Sequence, residues 1–239
     1  MKHTAVAAPL ALLTFLAACS DPGTELRDAP EPTVESAVAD DAAVEVPAVA
    51  VGETVDPSQD ISTLPAGLYL SEDTHAYIAF SYDHQGFSNP ILRWSEFDAE
   101  LDLVPDNPTA STLRVAIDPS AIDSGVDEFN DHLRSEDFFH VAEHPEIAFT
   151  STSLSMDTPT TGTLQGDLTM KGVTKPVTLD VELNKVGENF RTKIPMFGIS
   201  ATGQLRRSDY DLGLYAPMVG DEVDLMIEVE FQKAQEGEG

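Results

Sequence analysis

The chain has 239 residues, with 13 basic against 42 acidic side chains and a net charge of −29. Affinity for duplex nucleic acid comes mainly from Lys and Arg neutralising phosphates, so nucleic acid is a poor partner for this charge. An anionic membrane surface would repel it as well, which leaves covalent lipid or insertion as the route to a bilayer.

Met1-Lys2-His3 is a short, weakly positive start, and residues 5–16 form an apolar run of twelve broken only by Pro9 and Thr14. A helix of that length is too short to cross about 30 Å of hydrocarbon, but it suits the core of a signal peptide. The run ends in Leu16-Ala17-Ala18-Cys19, which resembles the lipobox of bacterial lipoproteins. That resemblance implies removal of residues 1–18, a diacylglycerol thioether on Cys19 and membrane attachment through it. Acyl chains contribute about 0.8 kcal/mol per buried CH₂, so two or three anchor far more stably than one. Ser20 follows the cysteine and aspartate comes only at Asp21, which favours the outer membrane over the inner. Cys19 is the one cysteine of the chain, so no intramolecular disulfide can form.

Residues 20–60 hold eleven acidic residues, five prolines, one Arg (Arg27) and no aromatic side chain. Like charge with few large apolar groups cannot offset chain entropy, so residues 19–60 read as a disordered acidic tether. About forty such residues average about 35 Å end to end as a flexible coil. The folded domain is expected over residues 61–234, followed by a short disordered tail at 235–239.

Within the domain the period-two pattern is persistent. Phe97, Ala99, Leu101 and Leu103 alternate with Glu96, Asp98, Glu100 and Asp102, and Val177, Leu179, Val181 and Leu183 alternate with Thr178, Asp180 and Glu182. Near the C-terminus Val223, Leu225, Ile227, Val229 and Phe231 share a face opposite Asp224, Glu228 and Glu230, with Met226 the exception. Such alternation marks strands with one buried and one wet face, as in antiparallel sheets. Weaker versions at 76–82, 113–117, 147–151, 164–170 and 197–205 bring the count to about eight. Turn residues separate them at Pro105-Asp106-Asn107-Pro108, Asp157-Thr158-Pro159, Lys171-Gly172 and Val186-Gly187-Glu188-Asn189.

Residues 120–143 break the pattern. Val126, Phe129 and Leu133 stand at helical spacing, which predicts one helix and a shorter second one ending before Pro145. The domain therefore reads as all-β with a short helical insertion. Eight antiparallel strands close into a barrel or stack as a sandwich. An eight-stranded barrel is either filled by side chains or holds one small ligand. The inward faces carry Phe80, Phe97, Phe149, Phe197 and Phe231, but also Ala99, Ala201, Gly166 and Gly203. Pattern leaves open whether the small residues serve tight packing or leave a hollow.

Several stretches resemble the YceI-like family of periplasmic polyisoprenoid-binding proteins. Asp73-Thr74-His75-Ala76-Tyr77-Ile78-Ala79-Phe80 and the following Ser81-Tyr82-Asp83-His84-Gln85-Gly86-Phe87-Ser88 look like its first hairpin. His132-Leu133-Arg134-Ser135-Glu136-Asp137-Phe138-Phe139, with His144-Pro145-Glu146-Ile147-Ala148-Phe149-Thr150-Ser151-Thr152, is similar to its helix-to-strand signature. The most specific match is Gly166-Asp167-Leu168-Thr169-Met170-Lys171-Gly172-Val173-Thr174-Lys175-Pro176-Val177, which resembles the central hairpin. Leu205-Arg206-Arg207-Ser208-Asp209-Tyr210 looks like the late arginine-containing turn.

The resemblance spans about residues 67–233. It implies an eight-stranded antiparallel lipocalin-like barrel whose apolar interior holds an isoprenoid chain or similar amphiphile, in a binding protein without catalysis. A homodimer is a family-level expectation. Two positions depart from the family pattern: Leu92-Arg93-Trp94-Ser95-Glu96-Phe97 replaces a Gly-Arg-Phe-like step, with Trp94 placed to fill the mouth or stack on a headgroup, and Asp211 stands where glycine is usual.

Ligand-lining candidates are Phe80, Phe97, Phe149, Leu168, Met170 and Phe197, with Tyr82, His84 and Arg207 as candidates for a headgroup pocket. For each the plainer reading is core, surface or ion-pair duty. His140 and His144 stand four apart, near His132 and Glu143, in a spacing able to share a metal. Pro145 disfavours helical geometry at His144, so no metal is expected. No Gly-x-Ser-x-Gly and no free second thiol supports a hydrolase. The sequence thus points to a lipid-anchored, periplasm-facing carrier of an isoprenoid or quinone-like lipid, with no cofactor. Its rival is a solid barrel that binds an envelope protein partner.

Overall fold

The computed structural model describes residues 56–235. The signal segment, Cys19, the tether up to residue 55 and the last four residues lie outside them. Ten strand segments follow one another: β1 Gly67–His84, β2 Ile91–Trp94, β3 Phe97–Leu103, β4 Thr112–Ile117, β5 Ile122–Asp123, β6 Ile147–Met156, β7 Thr161–Met170, β8 Val173–Glu188, β9 Pro195–Arg206 and β10 Val219–Lys233. The α-helix among the described residues, α1 Asp127–Arg134, lies between β5 and β6. It is amphipathic and too short to cross a membrane.

The ten segments make eight staves. The sheet runs β10-β9-β8-β7-β6-β4-β3-β1-β2-β5, and β1 also pairs with β10, which closes it. One edge of the long β1 is shared: Gly67 faces Leu103 of β3, whereas Ile78 faces Trp94 of β2. β2 and β3 are therefore one stave interrupted at Ser95 and Glu96. β5 extends β4 in the same way, placing Ile122 beside Trp94. Every pairing is antiparallel, and closure leaves no long edge unpaired. The fold is thus a closed eight-stranded antiparallel barrel, which settles the choice between barrel and sandwich.

Local chemistry explains the turns. Lys171 and Gly172 both take positive φ (50° and 75°) between Met170 and Val173, the geometry a two-residue hairpin needs to match strand twist. Val186-Gly187-Glu188, expected as a turn, instead continues β8, because Gly187 and Glu188 still find ladder partners in Met196 and Pro195. The chain reverses only at Asn189, whose Oδ1 accepts from the amides of Arg191 and Thr192 at 3.0 and 3.1 Å.

The helical insertion is also shorter than expected. After α1, the Phe139 amide donates back to Leu133 O and the Val141 amide to Arg134 O. These bonds fold residues 135–143 into successive turns rather than a second helix, and bury Phe139 against the barrel. At the other end the order begins before residue 61: two 3₁₀ turns, Pro57–Gln59 and Ile61–Thr63, lie against the barrel. Gln59 Nε2 donates to Leu183 O at 3.1 Å and Leu64 is buried.

Candidate functional site

Inward residues of successive staves surround three adjoining apolar cavities. The upper one, about 250 Å³, lies between the barrel wall, α1 and its following turns, and the segment joining β9 to β10. A middle cavity of about 100 Å³ shares Trp94, Met170, Leu205 and Leu225 with it. A third, about 130 Å³, shares Leu113, Leu164, Val181, Ile199 and Phe231 with the middle one. Stacking of Phe197 on Phe231 (5.3 Å) and an edge contact of Tyr69 on Phe197 (5.4 Å) pack this lower end. Burial pushes the Tyr69 hydroxyl up to about 12, and it donates to Pro65 O at 2.9 Å.

All nine residues singled out from the sequence face the interior. Phe80, Tyr82, His84, Met170 and Arg207 line the upper cavity; Phe97, Phe149, Leu168 and again Met170 line the middle one. Phe197 stands apart from the others at the lower cavity. The sequence did not single out the cover of the upper cavity, namely Phe129, Leu133, Phe138 and Phe139 of the insertion and Leu212, Leu214 and Tyr215 of the β9–β10 segment. The helical spacing of Phe129 and Leu133 was a signal for an apolar face, but not for what that face would meet. Close in the chain to the cavity-lining His84 and Val219, Phe87 and Met218 stand 85% and 68% exposed.

The polar groups have unequal freedom. Arg207 is 8% exposed and donates to four backbone carbonyls, those of Leu212, Leu214, Val219 and Gly220, at 2.5 to 2.8 Å. It is buried, and among the described residues no carboxylate lies within ion-pair distance of it: its fork ties down the segment leading into β10. Burial lowers its pKa, with Asp221 and Tyr82 opposing, and it remains a cation at neutral pH. Burial raises the Tyr82 pKa, with Arg207 pulling against the shift. Trp94 is displaced from its expected place at the mouth. It lies where the upper and middle cavities meet, its ring 4.7 Å from Phe80 and 5.8 Å from Phe139. Its Nε1–H is buried with no hydrogen-bond partner, the one buried side-chain donor left unsatisfied among the described residues.

A closed antiparallel barrel with an apolar hollow and a few polar groups on its wall defines a lipocalin-like protein. A family model for the YceI-like domain matches residues 69–231, and protein YceI of Escherichia coli O6:H1 is 35% identical over 160 residues, covering 66% of this chain and 82% of the relative. The chain belongs to the YceI-like family. Among solved structures, the YceI protein of Campylobacter jejuni superposes with a TM-score of 0.58 at 26% identity, over 64% of this chain and 90% of that one. A polyisoprenoid binding domain from Saccharophagus degradans, implicated in plant cell wall breakdown, gives 0.52 at 12% identity over 71% and 100%. The structure also accounts for Asp211 in place of the usual glycine. Its φ is 58°, a left-handed position that aspartate tolerates better than most residues.

Proposed function

We propose that the chain is a binding protein of the bacterial envelope, anchored through acylated Cys19 and facing the periplasm from the outer membrane, that holds one long apolar tail for carriage or storage. The observation that carries this reading is the row of adjoining apolar cavities running from beneath α1 into the barrel. Ten methylenes removed from water contribute about 8 kcal/mol before the costs of association, so such a ligand needs few polar contacts. The S. degradans domain is described as polyisoprenoid-binding, which supports an isoprenoid or isoprenoid quinone as the tail. Arg207 serves as a fixed positive potential at the mouth rather than a free headgroup clamp.

The test is native mass spectrometry of the full chain carrying Cys19→Ser, so that it bears no acyl chains of its own, purified without detergent. An extra mass that organic solvent releases as an isoprenoid or quinone is expected. A bare mass that stays bare after incubation with isoprenoids would overturn the reading and favour the solid-barrel interaction module.

Trp94 distinguishes classes of ligand. A quinone or other tail bearing an acceptor oxygen can satisfy its Nε1–H; a plain polyprene cannot. Trp94→Phe keeps an aromatic ring and removes the donor, at about 0.5 to 1.5 kcal/mol for one net hydrogen bond. Equilibrium binding should therefore weaken roughly two- to tenfold for an acceptor-bearing ligand and stay unchanged for a hydrocarbon. Equal effects on both would show that the indole acts only through its shape.

A further inference from the structure

We propose that His140, Glu143 and His144 form a binding site for a divalent transition-metal ion of the zinc class, on the turn that follows Phe138 and Phe139 of the cavity wall. One ligand atom from each residue lies within 4.8 Å of the others. The backbone arranges this. The amides of Glu143 and His144 both donate to His140 O at 3.0 Å, so residues 140–144 close one turn with i, i+3 and i+4 on the same side. The turn is complete before Pro145, which is why the proline does not prevent it. His140 takes a positive φ of 49° at the start of the turn. The His144 ring rests on the β7–β8 hairpin, where a Cβ on Gly172 would stand 3.5 Å from its Cε1.

The imidazoles are free to ligate. They meet edge to face at 5.9 Å, and the nearest carboxylate oxygen to His140 Nδ1 is that of Glu143, at 3.8 Å. No side-chain hydrogen bond engages either ring among the described residues. His132 does not join them; it lies 3.5 Å from Asp137 and packs on Phe138. Two imidazoles and one carboxylate suit four-coordinate zinc with a water in the fourth place, whereas calcium and magnesium call for oxygen ligands throughout. Metal–ligand distances of about 2.0 to 2.2 Å put tetrahedral ligand atoms about 3.3 Å apart, so small rotamer changes close the site. A net charge of −29 raises the local concentration of cations. A second group, Glu72, His75 and Glu230, is a poorer candidate. There His75 is already bonded to Glu72 at 2.6 Å, and Glu72 to Thr74 at 2.7 Å.

The site stands independently of what the barrel holds. Titration of the metal-free Cys19→Ser full chain with zinc chloride should show one saturable site, and cobalt(II) in its place should give the visible absorption of a tetrahedral centre. His140→Asn keeps a residue that tolerates positive φ, and His144→Gln keeps the turn. Each should weaken zinc binding more than tenfold, while His75→Gln leaves it unchanged. Saturating zinc should raise Tm in the parent chain and in His75→Gln, but not in His140→Asn. No saturable zinc binding, or a loss in His75→Gln in place of the other two, would overturn the proposal.

Discussion

Ala201→Phe should abolish retention of the apolar ligand while leaving the barrel folded. Ala201 is 4% exposed, sits between Val181 and Ile227 in the ladder and faces the middle cavity of about 100 Å³. That cavity is the smallest of the three, so a ring there separates the upper hollow from the lower one. Overpacking costs about 1 to 3 kcal/mol, which a urea transition reads directly. Native mass spectrometry should then show a bare chain whose transition remains cooperative. Full retention of ligand by folded Ala201→Phe would show that the tail stops above this level, within the upper cavity.

The largest stability effect is expected at Arg207. Its guanidinium satisfies four carbonyls, two in the segment between β9 and β10 and two at the start of β10, one of them in a fully buried bond. Arg207→Met fills similar space but leaves those acceptors without a donor, a loss of about 3 to 5 kcal/mol where water does not replace it. Arg207→Lys should recover little, because an ammonium cannot present the planar fork that reaches carbonyls on both sides. Urea unfolding of the two variants measures this. A loss under about 1 kcal/mol in Arg207→Met would mean that β-strand pairing alone holds the segment. The same variant should also loosen the mouth, since Leu212, Leu214 and Val219 wall the upper cavity, and ligand release should quicken.

Arg207 shows how far residue type carries. Its place in the Leu205-Arg206-Arg207 stretch marked it, with Tyr82 and His84, as a candidate for the headgroup pocket, but a hydrogen-bonded fork cannot be told from a ligand clamp without knowing which carbonyls come near. Trp94 is similar: the departure from the family pattern at Leu92-Arg93-Trp94 marked it for the mouth or a headgroup, and only the packing of Phe80 and Phe139 around it left its N–H unpaired between two cavities. In the insertion, helical spacing identified the α1 face with Phe129 and Leu133. The second helix failed because the Phe139 and Val141 amides bond back to the end of α1, which breaks residues 135–143 into separate turns. The same turns brought His140, Glu143 and His144 together, although Pro145 argued against helical geometry there.

Although the short β2 and β5 were missed, the sequence by itself determined the main strand of each of the eight staves, their inward faces and most of their turns. Those follow from a two-residue period and from turn chemistry, both local to a few residues. Whether the barrel is hollow was decided only in three dimensions, because a cavity depends on side chains brought together from distant strands. The Phe149 ring fills the space beside Gly166, and Leu179 packs against Gly203, where an added Cβ would come within 2.6 Å of it. The glycines therefore serve tight packing, and the hollow opens instead beneath α1, its following turns and the segment held by Arg207.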